Sequence, residues 1–453
     1  MILRGPILNP RFDGTVEFIP DGVLAGEQRI THVGDWKTLG PQFGSTYVEQ
    51  IRGVICPPFL DNHTHIPQLP IRGKFMDGVG PHPPQGRLIA GLNRNVYPAE
   101  GRCVDPQYTW DTVRNFLSDT LAHGVIGGAA FMTSHNYAAR VALEMLPATW
   151  SVGPVLMNMN CPDYLHTDEA GFQQEITELA SAHGRRVIIA DRFAVCVNTP
   201  LRRRAVELAE QFDLRMQTHL NEQLAEKKFV EQTLYPDAGT YTNVYARDGL
   251  LDCQPILAHC VRMSPAEFDL IKTKRASIAH CPTSNALLGS GIMPLDLVHE
   301  RGIEYAICTD VGASPTTSIL CEMAQFLNVH EGTSKYATPQ MALYRATLAP
   351  ALMLELHSEI GSFKPGKQMS FVVIDCDTTN LQQLSADELI RDRILEMRPL
   401  SEGLSKALHR LRESGLDTGA EMTSLEAEVY DTISRLAEKV RRVVIGGTTA
   451  WQP

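Results

Sequence analysis

The sequence predicts an α/β fold, a (β/α)8 TIM-like barrel with strand-rich segments at both chain ends. Three observations lead there. From about residue 58 to 360, short apolar runs alternate with longer stretches of helical period. Residues 1–57 and 361–453 have instead the texture of antiparallel strands punctuated by turn residues. Histidines and acids recur at the C-terminal ends of the apolar runs, where barrel strands hand over to loops.

Each element follows in order. Asp13-Gly14 and Asp21-Gly22 read as turns between the half-apolar runs 14–19 and 29–33, giving part of a sheet or sandwich. Candidate strands then fall at 54–60, 125–130, 151–157, 187–189, 215–218, 255–258, 277–279 and 305–308. Helical stretches at 108–122, 171–182, 200–212 and 265–273 lie between them. Eight strands alternating with helices over ~250–300 residues suit a (β/α)8 barrel, although the alternation alone leaves a doubly wound open sheet in play. No GxGxxG opens a helix, so a dinucleotide site has no footing. Strand texture returns at 370–375, and 442–451 reads as a hairpin around Gly446-Gly447. The insertion 380–440 looks helical, with Leu425, Val429, Ile433, Leu436 and Val440 on one apolar stripe that packs on the body of the protein. The expected division is 1–57 and 361–453 for the terminal part, and 58–360 for the barrel.

Composition narrows the function. The chain has 453 residues, enough to bury a large core without disulfide or metal staples. A content of 43% hydrophobic and 21% charged residues is that of an ordinary globule. The formal net charge of −11 disfavours nucleic acid and anionic membranes as partners. No run approaches the ~18 apolar residues of a membrane span, and the N-terminus lacks the apolar core of a signal peptide. Ten scattered cysteines without a CxxC pair read as reduced thiols of a cytoplasmic protein.

The strongest chemical signal is Pro57-Pro-Phe-Leu-Asp-Asn-His-Thr-His65. Period two puts His63 and His65 on one face of a strand tip, a claw for a first-row metal. Three further tips match it: His219 followed by Glu222, then His259, then Asp310. Each alone has a bland explanation, a core histidine or a cap. Together, at four strand tips that converge on one barrel mouth, they describe a metal centre.

This pattern resembles the amidohydrolase superfamily, and within it most resembles the guanine deaminases. The motifs that carry the narrower likeness are His63-Thr-His-Ile-Pro-Gln68, Tyr97-Pro-Ala-Glu100, Asp191-Arg-Phe193, Thr218-His-Leu-Asn-Glu222, Ser277-Ile-Ala-His-Cys-Pro-Thr-Ser-Asn285 and Thr309-Asp-Val311. The resemblance implies that the terminal segments form one small β-sandwich. It implies that His63, His65, His219 and Asp310 hold one divalent metal, zinc or alternatively iron. The fourth-strand tip, Ala190-Asp-Arg-Phe193, lacks the Lys that two-metal relatives use. Glu222, His259 and Asp310 are then catalytic: water activated on the metal attacks the amine-bearing carbon, His259 orients it and Glu222 shuttles protons. Gln68, Arg192 and Phe193 would recognise the ring, and the amine lost is the one on the carbon between two ring nitrogens. His280 and His135 have no assigned role. A homodimer is also implied.

One departure stands out. Guanine deaminases usually carry Trp and Tyr before the Pro-Ala-Glu, where this chain has Gly91 and Asn95. That predicts extra room, and a larger purine or pterin as a second substrate class. Residues 74–87, rich in Gly and Pro, read as a lid or an irregular surface loop. The competing readings are a hydrolase of a triazine or pyrimidine, and a non-catalytic scaffold that kept the fold.

Overall fold

The computed structural model describes residues 1–80, 86–413 and 420–453. Residues 81–85 of the Gly- and Pro-rich stretch 74–87 and 414–419 of the helical insertion therefore lie outside the described residues.

Strands from both ends of the chain share one eight-stranded mixed sheet. From the N-terminus come β1 (Ile2–Pro10), β2 (Val16–Gly26), β3 (Ile30–Asp35), β4 (Glu49–Gln50) and β5 (Val54–Cys56). The Asp21-Gly22 pair is not a turn. It lies inside β2, where Gly22 faces Gly5 of β1, and a bulge beside it absorbs the register shift. Asp21 is held there by Arg4, 2.7 Å away. A Cβ on Gly22 would fall 2.7 Å from Ile7 Cδ1, so the glycine serves close approach.

Pro57-Pro58 splits the first predicted barrel strand, and β6 (Phe59–His65) begins after it. It pairs in parallel with β7 (Val125–Phe131), and β7 with β8 (Trp150–Gly153). A second, six-stranded parallel sheet runs in chain order through β9 (Val155–Leu156), β10 (Ile188–Asp191), β11 (Arg215–Leu220), β12 (Ile256–His259), β13 (Ser277–His280) and β14 (Tyr305–Ile307). These strands are buried almost throughout, as apolar runs covered on both faces must be. Helices follow the strands where the sequence placed them. Pro106–Ala122 starts on an Asp105 cap, Thr199–Phe212 on an Asn198 cap and Pro265–Thr273 on a Ser264–Glu267 capping box.

The chain then returns to the first sheet through β15 (Phe371–Ile374), β16 (Val440–Ile445) and β17 (Thr448–Trp451), the last two forming the expected hairpin. Val440 does not continue the apolar helical stripe. The helix Ala420–Leu436 ends before it, and Val440 opens β16 opposite Ile374. Leu425 of that helix packs with Leu404, Leu408 and Leu411 of Glu402–Glu413 onto Ala286 and Val329, so the insertion leans on the body as expected. Among the described residues no helix is long and apolar enough to cross a membrane.

Candidate active site

The donors come from strand ends. His63 and His65 lie in the last turn of pleat of β6, His219 near the end of β11, and Asp310 three residues beyond β14. Their ligand atoms all lie within 4.8 Å of one another. Asp310 Oδ1 sits 3.1 Å from His65 Nε2 and 3.4 Å from His63 Nε2. His65 Nε2 and His219 Nε2 are only 3.3 Å apart. Phe131 packs its ring among the three imidazoles, 4.7 to 5.2 Å between centroids, and closes the cluster from one side.

Backbone geometry aims these groups. His259, Asn221 and Asp310 have φ of +71°, +51° and +54°, the left-handed region that costs a non-glycine residue of order 1 kcal/mol or more. Hydrogen bonds hold the kinks: Asp310 N donates to His63 O at 2.9 Å, and Arg262 N to Asn221 O at 2.8 Å.

Electrostatics suit a cation. Burial pushes the imidazoles of His63, His65 and His219 down, to about 3 for His65, so all three are neutral donors. Burial raises Asp310, but its contacts with His63 and His65 outweigh this and hold the carboxyl well below the usual range. His219 Nδ1 donates to the Arg192 carbonyl at 2.6 Å, which leaves Nε2 as a lone pair. His63 Nε2 is buried with no hydrogen-bond partner. Lone pairs packed this closely around one carboxylate call for a positive charge between them, so the residues present fit a divalent metal.

Two further groups face the cluster. Glu222 follows β11 and is buried, with its Oε2 3.6 Å from His259 Nε2. Burial and the Asp310 charge push its carboxyl up to about 8, against the opposing bond from Ser290 Oγ at 2.8 Å. Glu226 accepts the backbone N–H of both Glu222 and Gln223 at 3.1 Å and so fixes that turn. His259 Nδ1 donates to Asn285 Oδ1 at 2.9 Å, which turns Nε2 toward Glu222.

Gln68, Arg192 and Phe193 line the same pocket as His65, Glu222 and Asp310. Sequence reasoning named these three but gave Glu100 no role. Glu100 is fully buried, and its Oε1 accepts from Gln68 Nε2 at 2.9 Å and from Arg192 Nη1 at 2.6 Å. One carboxylate thus sets the spacing of both side chains. Asn285 and Ser290 were also missed as partners of His259 and Glu222, since nothing local marks an amide on the short helix Pro282–Leu287 or a loop hydroxyl as functional. His280 is buried against His330, 3.1 Å between Nε2 atoms, and neither it nor His135 lines this pocket.

The room expected at Gly91 is taken. Phe75 packs there so closely that a Cβ on Gly91 would lie 2.5 Å from Phe75 Cε1, and Asn95 Nδ2 donates to the Phe75 carbonyl at 2.9 Å. An aromatic from the 74–80 segment occupies the space that two missing aromatics seemed to free. Phe75 and Leu88, on either side of the undescribed stretch, both line the pocket.

Comparison with known proteins places this geometry. The profile of the "Amidohydrolase family" matches residues 54–447. The "Guanine deaminase" of Escherichia coli (strain K12) is 32% identical over 403 residues, covering 86% of this chain and 90% of that protein. A solved structure of "E. coli Guanine Deaminase" superposes with a TM-score of 0.77 at 27% identity, covering 100% of this chain and 99% of that one. A guanine deaminase from C. acetobutylicum, solved with bound guanine in the active site, shares the fold with a TM-score of 0.78 at 23% identity, over 99% of both chains. The matched span takes in every donor of the buried cluster, and this chain belongs to the amidohydrolase family.

Proposed function

We propose that the chain is a metal-dependent hydrolytic deaminase of a guanine-like ring, converting guanine and water to xanthine and ammonia. The observation that carries this is the joint placement of the four-donor cluster, a protonatable Glu222 and the Glu100-bridged Gln68–Arg192 pair around one pocket. The relation to the E. coli guanine deaminase supports the same substrate class.

His63, His65, His219 and Asp310 would hold one divalent metal, for which zinc is our choice. Such an ion would supply Lewis acidity, lowering the pKa of water. The chain's own residues do the rest. His259, oriented by Asn285, offers its Nε2 lone pair to the attacking water. Glu222 gives its proton to the ring nitrogen beside the amine-bearing carbon, carries a proton from the attacking water to the departing amine, and is reprotonated as the new hydroxyl becomes the carbonyl, a task suited to a carboxyl whose pKa is raised toward neutrality. Gln68 Nε2 is committed to Glu100, so its Oε1 remains to accept from the ring's amidine edge. Arg192 keeps guanidinium N–H groups for the ring carbonyl. Phe193 packs on the ring.

The same reading extends to architecture. We infer that the two parallel sheets close into a (β/α)8 barrel over 58–360. The bond from Asp310 N to His63 O, linking the β14 end to β6, and the bridge between Val152 of β8 and Val187 before β10 support closure. The terminal sheet would fold on itself as a sandwich of 1–57 and 361–453, supported by the core that Leu3, Ile7, Leu24, Phe371 and Val444 share. A homodimer belongs to this reading through family resemblance alone.

The test is ammonia release from guanine, a pterin, adenine, cytosine and an aminotriazine. Turnover of guanine-like rings with adenine poor is the expected result. Adenine or cytosine turned over at least as well as every guanine- or pterin-like ring would overturn the substrate assignment.

A further inference from the structure

We propose that Phe75 is the specificity-determining aromatic of this pocket, the face on which the substrate ring packs and the limit on ring size. The inference rests on the guanine-like substrate proposed above. A flat ring held edge-on by Gln68 and Arg192 presents its faces to apolar walls, and Phe75 is one such wall alongside Leu88, Leu92 and Phe193.

Phe75 comes from a stretch of turns rather than from a helix or strand, yet it is only 6% exposed. Its seat is built by a different part of the chain. Gly91 leaves a notch into which the ring fits. A Cβ there would meet Phe75 Cε1 at 2.5 Å, Cδ1 at 2.7 Å and the Phe75 carbonyl oxygen at 3.0 Å, so even alanine would force the ring to move. Asn95 Nδ2 donates to the carbonyls of Phe75 and Asp77, at 2.9 and 3.0 Å, and Arg94 Nε donates to the Asp77 carbonyl at 3.0 Å. Gly73 and Gly78, with φ of +74° and +68°, let the chain turn tightly on either side. Three successive features of the helical stretch 87–96 thus register one aromatic ring against the pocket. Because the ring lies against Gly91, bulk at position 91 and bulk at position 75 compete for one space.

That competition gives the test, made on the metal-loaded full chain with guanine and a pterin as substrates. Phe75→Ala should raise KM for guanine roughly tenfold while kcat changes little, the scale of one lost aromatic contact. It should also shift the guanine-to-pterin ratio toward the larger ring. Gly91→Ala, which leaves Phe75 in the sequence but evicts it from its seat, should move both quantities the same way. Phe75→Ala combined with Gly91→Phe refills the space from the other side and should recover most of the guanine KM. Metal content should be equal in all variants. If Phe75→Ala and Gly91→Ala both keep KM for guanine and the substrate ratio within about a factor of two of wild type, well inside the scale of such a contact, the inference is wrong and the functional reading stands. It is equally wrong if the losses fall on kcat for both rings alike and the double variant recovers nothing, since that marks a structural role. If the wild type releases ammonia from no guanine-like ring, the functional reading fails and Phe75 loses its role with it.

Discussion

Glu222 shows how one buried side chain is tuned. It shares the cluster's desolvated space with Asp310, and the two carboxyls are driven in opposite directions: Asp310 far down by its imidazole neighbours, Glu222 up to about 8 by burial and by Asp310 itself. Groups pushed apart in this way divide into a permanent anion and a proton carrier. Glu222→Gln should keep its metal and lose about 10²–10⁴-fold in kcat, because an amide cannot carry the proton. Elemental analysis beside a kcat measurement checks both halves, and near-wild-type turnover would remove Glu222 from the mechanism. Glu322 is a second raised carboxyl with a structural job. It accepts from Ser314 Oγ at 2.9 Å and Thr283 N at 3.2 Å, and burial lifts it from 4.5 to about 8. Folding therefore favours its protonated form. The stability it contributes is full below about 4.5 and is lost as pH rises through about 8. Glu322→Gln removes that titration, so the fall in Tm between about pH 5 and 9 should be shallower than in wild type. Parallel Tm curves would show that Glu322 does not titrate in this range.

The Glu100–Arg192 pair joins two elements, the helix Tyr97–Gly101 and the tip that follows β10. Both side chains are buried, 0% and 3% exposed, so removing one strands the other. Glu100→Ala should cost about 3–5 kcal/mol, read as a drop in denaturant midpoint. Adding Arg192→Met should restore much of that stability yet leave catalytic efficiency on guanine-like rings low. Additive stability losses in the double variant would mean the pair is not coupled. At this scale the sequence was legible where chemistry sits on strands. His63, His65, His219, His259 and Asp310 stand at strand ends, where period and position announce them. It was illegible where a partner reaches the site only through the tertiary fold, as with Glu100 and Asn285 on short helices and Ser290 and Phe75 on loops. The helix Ile319–His330 escaped for another reason: all of its residues are buried, and its polar side chains Glu322, Gln325 and Asn328 pack inside the protein rather than marking a solvent face. Val440 misled because a strand that starts four residues after a helix ends can extend the apolar spacing by coincidence.

Across the whole molecule, parallel strands carry the four residues of the buried cluster and Glu222 to one end, while the terminal strands form a separate sheet with its own core. Binding energy at the cluster is therefore coupled to the stability of the strands that supply it. Stripping the protein with a chelator should lower Tm, and refilling should restore it, as expected when a ligand binds the folded state only. An unchanged Tm would mean that the four donors do not hold a metal in the purified protein. The most direct test of a single-metal guanine deaminase is to titrate the stripped protein with Zn²⁺ and follow guanine conversion to xanthine at each step. Activity absent at the start, rising linearly and levelling at one equivalent per chain is the expected result. Guanine turnover that needs no metal, that levels only at two equivalents, or that never appears would contradict it.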